Sequence, residues 1–198
     1  MPDRDQQEGD QPDPVVGERP QPFSVPVVLH DPNPSWPTLF ASHAVAIRSA
    51  LGENALAIDH VGSTSVPHLL AKPIIDILLQ VRDSSDEAAY VPALTDRGYW
   101  LQIREPEWLE HRVLYQRIDR GSPHDINLHV LSTASGAEEI ARLLGLRDWL
   151  RTHPQDRDRY AAVKRELASR RWRYVQDYAD AKSEVVEGIL AKVAQARR

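Results

Sequence analysis

The chain has 198 residues, of which 41% are hydrophobic and 27% are charged, and its formal net charge is −5. This composition is typical of one globular domain with a substantial core, and it argues against a disordered or membrane-embedded chain. Because the sequence contains no cysteine, it excludes a disulfide framework, a thiolate metal site and a cysteine nucleophile.

The N-terminal segment, residues 1–22, is acidic and rich in proline. It has too few apolar residues to offset the entropy of ordering, so we expect a disordered tail over 1–22 and one folded domain over 23–198. The segment lacks the basic stretch and apolar run of a secretory signal. No apolar run in the chain approaches the roughly 20 residues that span a bilayer. These features favour a cytoplasmic protein with no membrane partner.

The first elements predicted along the chain are a helix and two strands. Apolar residues at helical spacing predict a helix from Trp36 to Leu51, and Gly52 suits its C-terminal end. Two short segments rich in β-branched residues, 55–61 and 73–81, predict strands. The second segment is apolar on both faces, which indicates a strand in the middle of a covered sheet.

A short helix and three more strands follow. Ser84 and Glu87 have the spacing of a capping box, which predicts a helix that ends before Gly98 and that Pro92 breaks or kinks. Three further strands are predicted, at residues 99–103, 111–118 and 125–131.

The C-terminal part predicts helices only. Ser135 and Glu138 form a second capping-box pattern at the start of one helix, and Pro154 suits the first turn of the next. A last amphipathic helix has Lys182 as the single polar interruption of an apolar stripe formed by Val175, Tyr178, Val186, Ile189 and Val193. The order of elements predicts an α+β domain with a mixed β-sheet flanked by helices and with C-terminal helices.

A run of small and hydroxyl residues, "VGSTSVPHLLAKP", joins the first two strands. Gly62 lets a backbone approach a ligand closely, the hydroxyls of Ser63 and Ser65 can donate to phosphate oxygens, and Lys72 adds a cation. The Walker pattern of a P-loop is absent, which disfavours a kinase of that type. Ordinary turns also have this composition, so the run alone leaves a turn and a ligand loop both open.

Asp76 is the one carboxylate within the second strand, "PIIDILLQV". An ionised aspartate at such a place is costly unless it is paired, hydrogen-bonded or bound to a metal. The residues alone leave two explanations open, an ion pair with Lys72 or a nearby arginine and a metal site.

The spacing from the Gly-Ser pair to Asp76 is that of the DNA polymerase beta-like nucleotidyltransferases. More specifically, the sequence resembles the GrpB family over about residues 25–195, through "HVGSTSVPHLLAKPIIDI", "NLHV", "LRDWLRTHP", "YAAVKRELA" and "YADAKSEVVEGIL". The resemblance implies a nucleotidyltransferase-like fold, a nucleoside triphosphate substrate and Mg²⁺, an ion that prefers oxygen ligands. The family also occurs fused to dephospho-CoA kinase, which implies a link to CoA or nucleotide metabolism.

The pattern and the resemblance together predict the site residues. Asp125, Asn127 and His129 are spaced by two and share one face, which could lie beside Asp76. The expected catalytic residues are Asp76, Asp125 and His129, with Asp76 and Asp125 as metal ligands. The residues expected to bind the nucleotide are Gly62, Ser63, Ser65, Lys72, Arg112, Asn127 and Arg147. A buried, hydrogen-bonded role is the other explanation for His129, and surface pairing for the two arginines.

The nucleotidyltransferase pattern has a second carboxylate two residues after the first, and this chain has Leu78 there. Two functions therefore remain. One is Mg²⁺-dependent transfer of a nucleotidyl group to an unknown acceptor. The other is a reduced module that only binds a nucleotide or another phosphorylated small molecule, which Leu78 favours. Eleven basic against six acidic residues from Arg157 to Arg198 make nucleic-acid binding a third, disfavoured possibility.

Overall fold

The computed structural model describes residues 14–16, 27–172 and 175–196. These ranges contain six α-helices and five strands, which we number in chain order. The helices are Trp36–Leu51 (α1), Val91–Thr95 (α2), Ala137–Thr152 (α3), Pro154–Ala168 (α4), Val175–Asp180 (α5) and Ser183–Ala196 (α6). The strands are Ala57–Val61 (β1), Ile74–Val81 (β2), Trp100–Glu105 (β3), His111–Gln116 (β4) and Asp125–Ser132 (β5).

The five strands form one mixed sheet in the order β1-β2-β5-β4-β3. β2 and β5 are parallel, and the other neighbouring strands are antiparallel. The prediction of an α+β domain with a mixed sheet flanked by helices is confirmed. The parallel pair is decisive for the site, because its register places Asp76 directly opposite Asn127.

One face of the sheet is covered by α1 and α2. Ile75, Ile77 and Leu79 project from β2 toward this side and are at most 1% exposed, as part of the largest buried cluster. Leu51 and Leu94 reach the same cluster from the two helices. This packing explains why alternate positions of β2 are continuously apolar.

The opposite face is covered only in part by the C-terminal helices. Ile140 of α3 packs on Val61, Leu78 and Leu131, which belong to β1, β2 and β5. α4 and α6 pack instead on the segment between β1 and β2. The part of this face around Asp76 therefore stays open.

Both predicted capping boxes are wrong. The backbone N–H of Ser84 donates to the Ser132 hydroxyl, and the two hydroxyls lie 2.8 Å apart, so Ser84 ties β2 to β5. The helix after it begins only at Val91, with Pro92 in its first turn. Ser135 does not cap α3 either, because the N-cap residue is Gly136, which has no side chain that could cap the helix.

The predicted last helix is divided in two. α5 ends at Asp180 and α6 begins at Ser183, so Lys182 lies in the turn between them rather than on a continuous stripe. The stripe residue Val175 has a side chain outside the described part of the structure. Of the helices that are described, none combines the length and the apolar character needed to cross a membrane.

The prediction of a disordered tail falls mostly outside the described residues. Within 1–22 only residues 14–16 are described, and there Val15 forms a β-bridge with Ile103 of β3.

Candidate functional site

A cleft of about 440 Å³ opens on the partly covered face of the sheet. It lies between the turn after β1, the strands β2 to β5, and residues of α4 and of the α5–α6 segment. Six of the predicted site residues line it: Gly62, Ser63, Lys72, Asp76, Asn127 and His129. The cleft also contains seven polar or aromatic residues that sequence reasoning did not select: Thr64, Glu105, His111, Tyr115, Lys164, Tyr178 and Lys182.

Gly62 is shaped by its contact with Asp76. Its φ is +68°, in the region that favours glycine, and a Cβ atom placed on it would lie 2.2 Å from Asp76 Oδ2. The glycine therefore lets the carboxylate of the neighbouring strand lie directly against the backbone of the loop.

The hydroxyl groups after Gly62 have different roles. Residues Ser63–Ser65 form one turn of 3₁₀-helix, in which the Ser65 hydroxyl donates to the Gly62 carbonyl at 2.6 Å. The hydroxyl of Ser65 is thus used within the loop, and Ser65 does not line the cleft. Ser63 does line it, and its hydroxyl accepts a hydrogen bond from Lys164 Nζ at 2.9 Å.

Asp76 is held in place by a chain of amide and guanidinium groups. Arg117 Nη2 donates to Asn127 Oδ1 at 2.7 Å, and Asn127 Nδ2 donates to Asp76 Oδ1 at 2.7 Å. Arg117 thereby fixes the orientation of the Asn127 amide, since its oxygen is already occupied. Burial acts to raise the pKa of Asp76, but His129, Asn127 and Lys72 outweigh it and keep that pKa below its ordinary value.

Three lysines converge on the cleft from distant parts of the chain. They are Lys72, before β2, Lys164, on α4, and Lys182, in the turn between α5 and α6. The sequence contains only four lysines, against twenty arginines, and the fourth, Lys192, forms an ion pair with Asp156 outside this cleft. Lysine is therefore concentrated in the cleft.

The lysines are close enough to affect one another's ionisation. Burial, together with the charges of Lys182 and Lys72, lowers the pKa of Lys164 to about 7, although Asp76 opposes the shift. Burial and the charge of Lys72 lower the pKa of Lys182 to about 8, against Asp76 and Asp180. The pKa of Lys72 is also lowered, mainly by burial. The nearby carboxylates of Asp76 and Asp180 thus do not outweigh burial and the mutual repulsion of the lysines.

Tyr178 adds a hydroxyl group with an unmet hydrogen bond. Its ring faces two of the lysines, with Lys182 Nζ at 4.6 Å and Lys72 Nζ at 5.7 Å from the ring centroid. The residue is 1% exposed, and its hydroxyl has no hydrogen-bond partner among the residues that the structure describes. Buried hydroxyls are normally paired, so this unpaired donor on a residue that lines the cleft is an exception.

On the far side of Asp76 the cleft is lined by two histidines and a glutamate. His129 Nε2 lies 3.9 Å from Asp76 Oδ1. His111 stacks on His129 with ring centroids 5.3 Å apart, and its Nδ1 lies 2.7 Å from Glu105 Oε2. This side of the cleft therefore offers groups that can exchange protons.

Three predicted site residues are used elsewhere: Asp125, expected as a catalytic residue and metal ligand, and Arg112 and Arg147, expected to bind the nucleotide. Asp125 accepts a hydrogen bond from the Ile118 N–H in the connection between β4 and β5, and it does not line the cleft. Arg112 projects to the opposite face of the sheet, where it pairs with Glu87 and Glu110. Arg147 of α3 forms its ion pairs with Asp59 and Asp148.

The donor set does not fit a two-ion centre. Asp125 accepts from the Ile118 N–H outside the cleft, and the Asn127 oxygen accepts from Arg117. No group of three His, Cys, Asp or Glu side chains that could hold a metal ion occurs in the described ranges. The dependence on Mg²⁺ stays a prediction.

Leu78, at the position of the missing carboxylate, is fully buried beneath α3. It packs with Val61, Leu131 and Ile140 and is 0% exposed. The helix therefore covers the place on the sheet where a second acidic side chain would have faced a ligand.

The sequence contained one signal that could have identified some of the overlooked cleft residues, the rarity of lysine. Four lysines in a chain with twenty arginines are rare enough to have marked Lys164 and Lys182 for attention. Glu105 and His111 gave no such signal, because they flank an ordinary hairpin and meet only when β3 pairs with β4.

Comparisons with known proteins agree with the fold and with the range of residues that forms it. The family model described as GrpB protein matches residues 26–192. A UPF0157 protein of Halalkalibacterium halodurans is 55% identical over 178 residues, which make up 90% of this chain and 87% of that protein. The crystal structure of conserved protein GrpB from Enterococcus faecalis is similar with a TM-score of 0.65 and 27% identity, and the match covers 81% of this chain and 98% of that one.

A further relative has a named activity. A dephospho-CoA kinase of Mycolicibacterium paratuberculosis is 29% identical over 168 residues, which make up 73% of this chain but only 40% of the kinase.

Proposed function

The chain belongs to the GrpB family, and we propose that its cleft binds the phosphate groups of a nucleotide or of another phosphorylated small molecule. The observation that carries this proposal is the placement of three of the four lysines around one carboxylate. Like charges held together in a buried site repel one another, and a bound anion removes that cost.

The remaining lining groups support an anionic ligand. The Tyr178 hydroxyl can donate a hydrogen bond to a phosphate oxygen, and Ser63 already faces Lys164 across the loop. The volume of about 440 Å³ falls within the range of roughly 300–1,000 Å³ that is usual for small-molecule sites.

Calorimetry on single lysine variants tests this function. ATP, GTP and pyrophosphate are each titrated into the wild type and into Lys72→Met and Lys182→Met, first with EDTA and then with Mg²⁺. Since a charge-assisted hydrogen bond contributes about 1.5–3 kcal/mol, each variant should bind at least about tenfold more weakly.

Lys192→Met is the matched control, because it removes the one lysine that lies outside the cleft. It should bind like the wild type. If the wild type binds none of the three anions, or if Lys192→Met weakens binding as much as Lys182→Met, the proposed function is wrong.

A second candidate function is nucleotidyl transfer in the same cleft. The arrangement of His129 beside Asp76 favours it, because a proton acceptor then lies next to the proposed phosphate site. The likeness to part of a dephospho-CoA kinase supports a link to nucleotide or CoA metabolism for either candidate. Release of pyrophosphate from a nucleoside triphosphate, dependent on Mg²⁺ as the sequence predicts, distinguishes transfer from binding alone.

A further inference from the structure

A continuous row of proton-exchanging side chains crosses four strands of the sheet. Glu105 of β3 contacts His111 of β4, His111 contacts His129 of β5, and His129 faces Asp76 of β2. The distances are 2.7 Å from Glu105 Oε2 to His111 Nδ1, 3.2 Å from His111 Nε2 to His129 Nδ1, and 3.9 Å from His129 Nε2 to Asp76 Oδ1. We call these four residues the histidine chain.

The chemistry of Glu105 sets the direction of the hydrogen bonds. An ionised carboxylate only accepts, so His111 must donate from Nδ1. Burial lowers the pKa of His111, with His129 adding to the effect and Glu105 opposing it, which favours the neutral ring. A neutral imidazole has one donor and one acceptor, and His111 Nε2 is therefore the acceptor.

The same rule then fixes the tautomer of His129. Since His111 Nε2 accepts, His129 must donate from Nδ1, and its Nε2 keeps a free electron pair. That nitrogen lies 3.9 Å from Asp76 Oδ1, beyond hydrogen-bond distance, so the carboxylate does not require it to donate, and it occupies the open end of the row. His129 is 29% exposed at its side chain, whereas His111 is 7% exposed, so the free nitrogen belongs to the member that a ligand can reach.

We propose that His129 is the proton acceptor of the cleft, with Nε2 taking the proton of a reacting hydroxyl group, and that Glu105 and His111 position it by fixing its tautomer. The inference rests on the proposed function, since the lysines must hold a phosphorylated ligand beside it. His129 is then a catalytic residue, and the other two are positioning residues.

The proton acceptor implies a definite step. The oxygen of an alcohol or water forms a bond to phosphorus while its proton moves to His129 Nε2. The bond from phosphorus to the leaving phosphate or pyrophosphate breaks, and the leaving group departs with the electron pair. The lysines stabilise its negative charge, and the imidazolium formed at His129 faces the Asp76 carboxylate until it releases the proton to solvent.

Packing alone would predict a different dependence on Glu105. A stacked pair of rings needs the two histidines, but it does not need an acceptor at residue 105. The tautomer of His129 therefore separates the two roles, and substitutions at Glu105 address it without removing either ring.

Nitrogen NMR on protein labelled with ¹⁵N-histidine measures the tautomer directly, without any ligand. At pH 8 the wild type should show His129 protonated at Nδ1 and bare at Nε2. Glu105→Lys replaces the acceptor with a donor, so both hydrogen bonds should reverse and place the His129 proton on Nε2. Glu105→Gln retains a carbonyl acceptor and should keep the wild-type tautomer.

Pyrophosphate release from ATP, with water as the acceptor, gives the second readout. His129→Gln should slow the release by about 100-fold or more. Glu105→Lys should also slow it, while Glu105→Gln should keep most of the wild-type rate. A wild-type His129 protonated at Nε2, a tautomer unchanged in Glu105→Lys, or an unchanged rate in His129→Gln overturns the inference.

The two proposals fail in distinguishable ways. If the wild type binds none of ATP, GTP and pyrophosphate, the proposed function is wrong and the chemical step is wrong with it. If nucleotide binds but the tautomer is the opposite one, only the positioning of His129 is wrong.

Discussion

Gly62 and Asp76 are the two residues of the site that depend most closely on each other. A Cβ atom on residue 62 would overlap the Asp76 carboxylate, and the backbone of Gly62 has a positive φ. Both facts restrict residue 62 to glycine for reasons internal to the fold. The conformation of the loop is thus tied to the residue that forms the floor of the cleft.

Gly62→Ala should destabilise the protein by about 2 kcal/mol or more, because the added methyl group would overlap Asp76 and the backbone conformation would be strained. Urea unfolding measures the change. Gly188→Ala is the control, since an added Cβ there meets nothing within 4 Å and the residue lies in α6. This variant should be more stable by roughly 0.5–1 kcal/mol.

Equal losses of stability in the two glycine variants would contradict the close contact between Gly62 and Asp76. A Gly62→Ala protein that regained part of its stability on a second change, Asp76→Ala, would confirm that the overlap includes this carboxylate, since only the Cβ of residue 76 would remain, 2.9 Å from the added methyl group.

At the scale of the elements, the position of α3 over β2 decides what the sheet can offer a ligand. Asp76 and Leu78 of β2 both point to the face of the sheet that carries the cleft. The helix α3 covers Leu78 and leaves Asp76 open. The same strand therefore provides one open carboxylate and one core residue. An arrangement with two carboxylates in this strand is incompatible with this packing.

Leu78→Asp restores the acidic residue of the nucleotidyltransferase pattern, and we expect it to destabilise the fold rather than create a metal site. Loss of apolar contacts and burial of a carboxylate should together cost about 3 kcal/mol or more. Thermal unfolding with and without Mg²⁺ measures both effects. The control, Leu56→Asp, changes a residue that is 46% exposed and should alter stability by only about 0.5 kcal/mol.

Stabilisation of Leu78→Asp by Mg²⁺, with a native-like melting temperature, would show that α3 can move aside. That result would return the two-ion arrangement to consideration.

At the scale of the whole molecule, the cleft concentrates positive charge in a chain whose net charge is negative. The net charge is −5, yet three lysines meet beside Asp76. They come from the segment before β2, from α4 and from the α5–α6 turn, so only the complete fold brings them together. Burial in the cleft lowers the pKa of all three lysines, and the charges of neighbouring lysines lower those of Lys164 and Lys182 further.

Binding of pyrophosphate should therefore weaken as the pH rises from 7 to 9. Lys164 has a pKa of about 7 and Lys182 of about 8, so both are mostly neutral at pH 9 and must take up protons before they can attract the anion. Each proton taken up weakens binding by up to tenfold per pH unit. Calorimetry in buffers with different ionisation enthalpies counts the protons.

Lys182→Met should flatten this pH profile, and Lys192→Met should leave it unchanged. A wild-type affinity independent of pH between 7 and 9, or a release of protons on binding, would contradict the shared charge of the cluster.

Local patterns in the sequence predict much of the fold and the local outline of the site. The helix at Trp36–Leu51 and the five strands follow from apolar periodicity, because these patterns are local properties of the chain. The Gly-Ser loop and the lone Asp76 were visible for the same reason. The capping box predicted at Ser84 is wrong because Ser84 bonds to Ser132, a partner 48 residues away.

The groups that line the cleft depend instead on how distant elements pack together. The parallel pairing of β2 with β5 brought His129 and Asn127 to Asp76, and the hairpin of β3 and β4 supplied Glu105 and His111. The helices delivered Lys164 and Lys182, and α3 buried Leu78. Periodicity specifies which face of an element is apolar, but the neighbours of a polar side chain depend on how the elements pack, and the chemistry of the cleft arises from those neighbours.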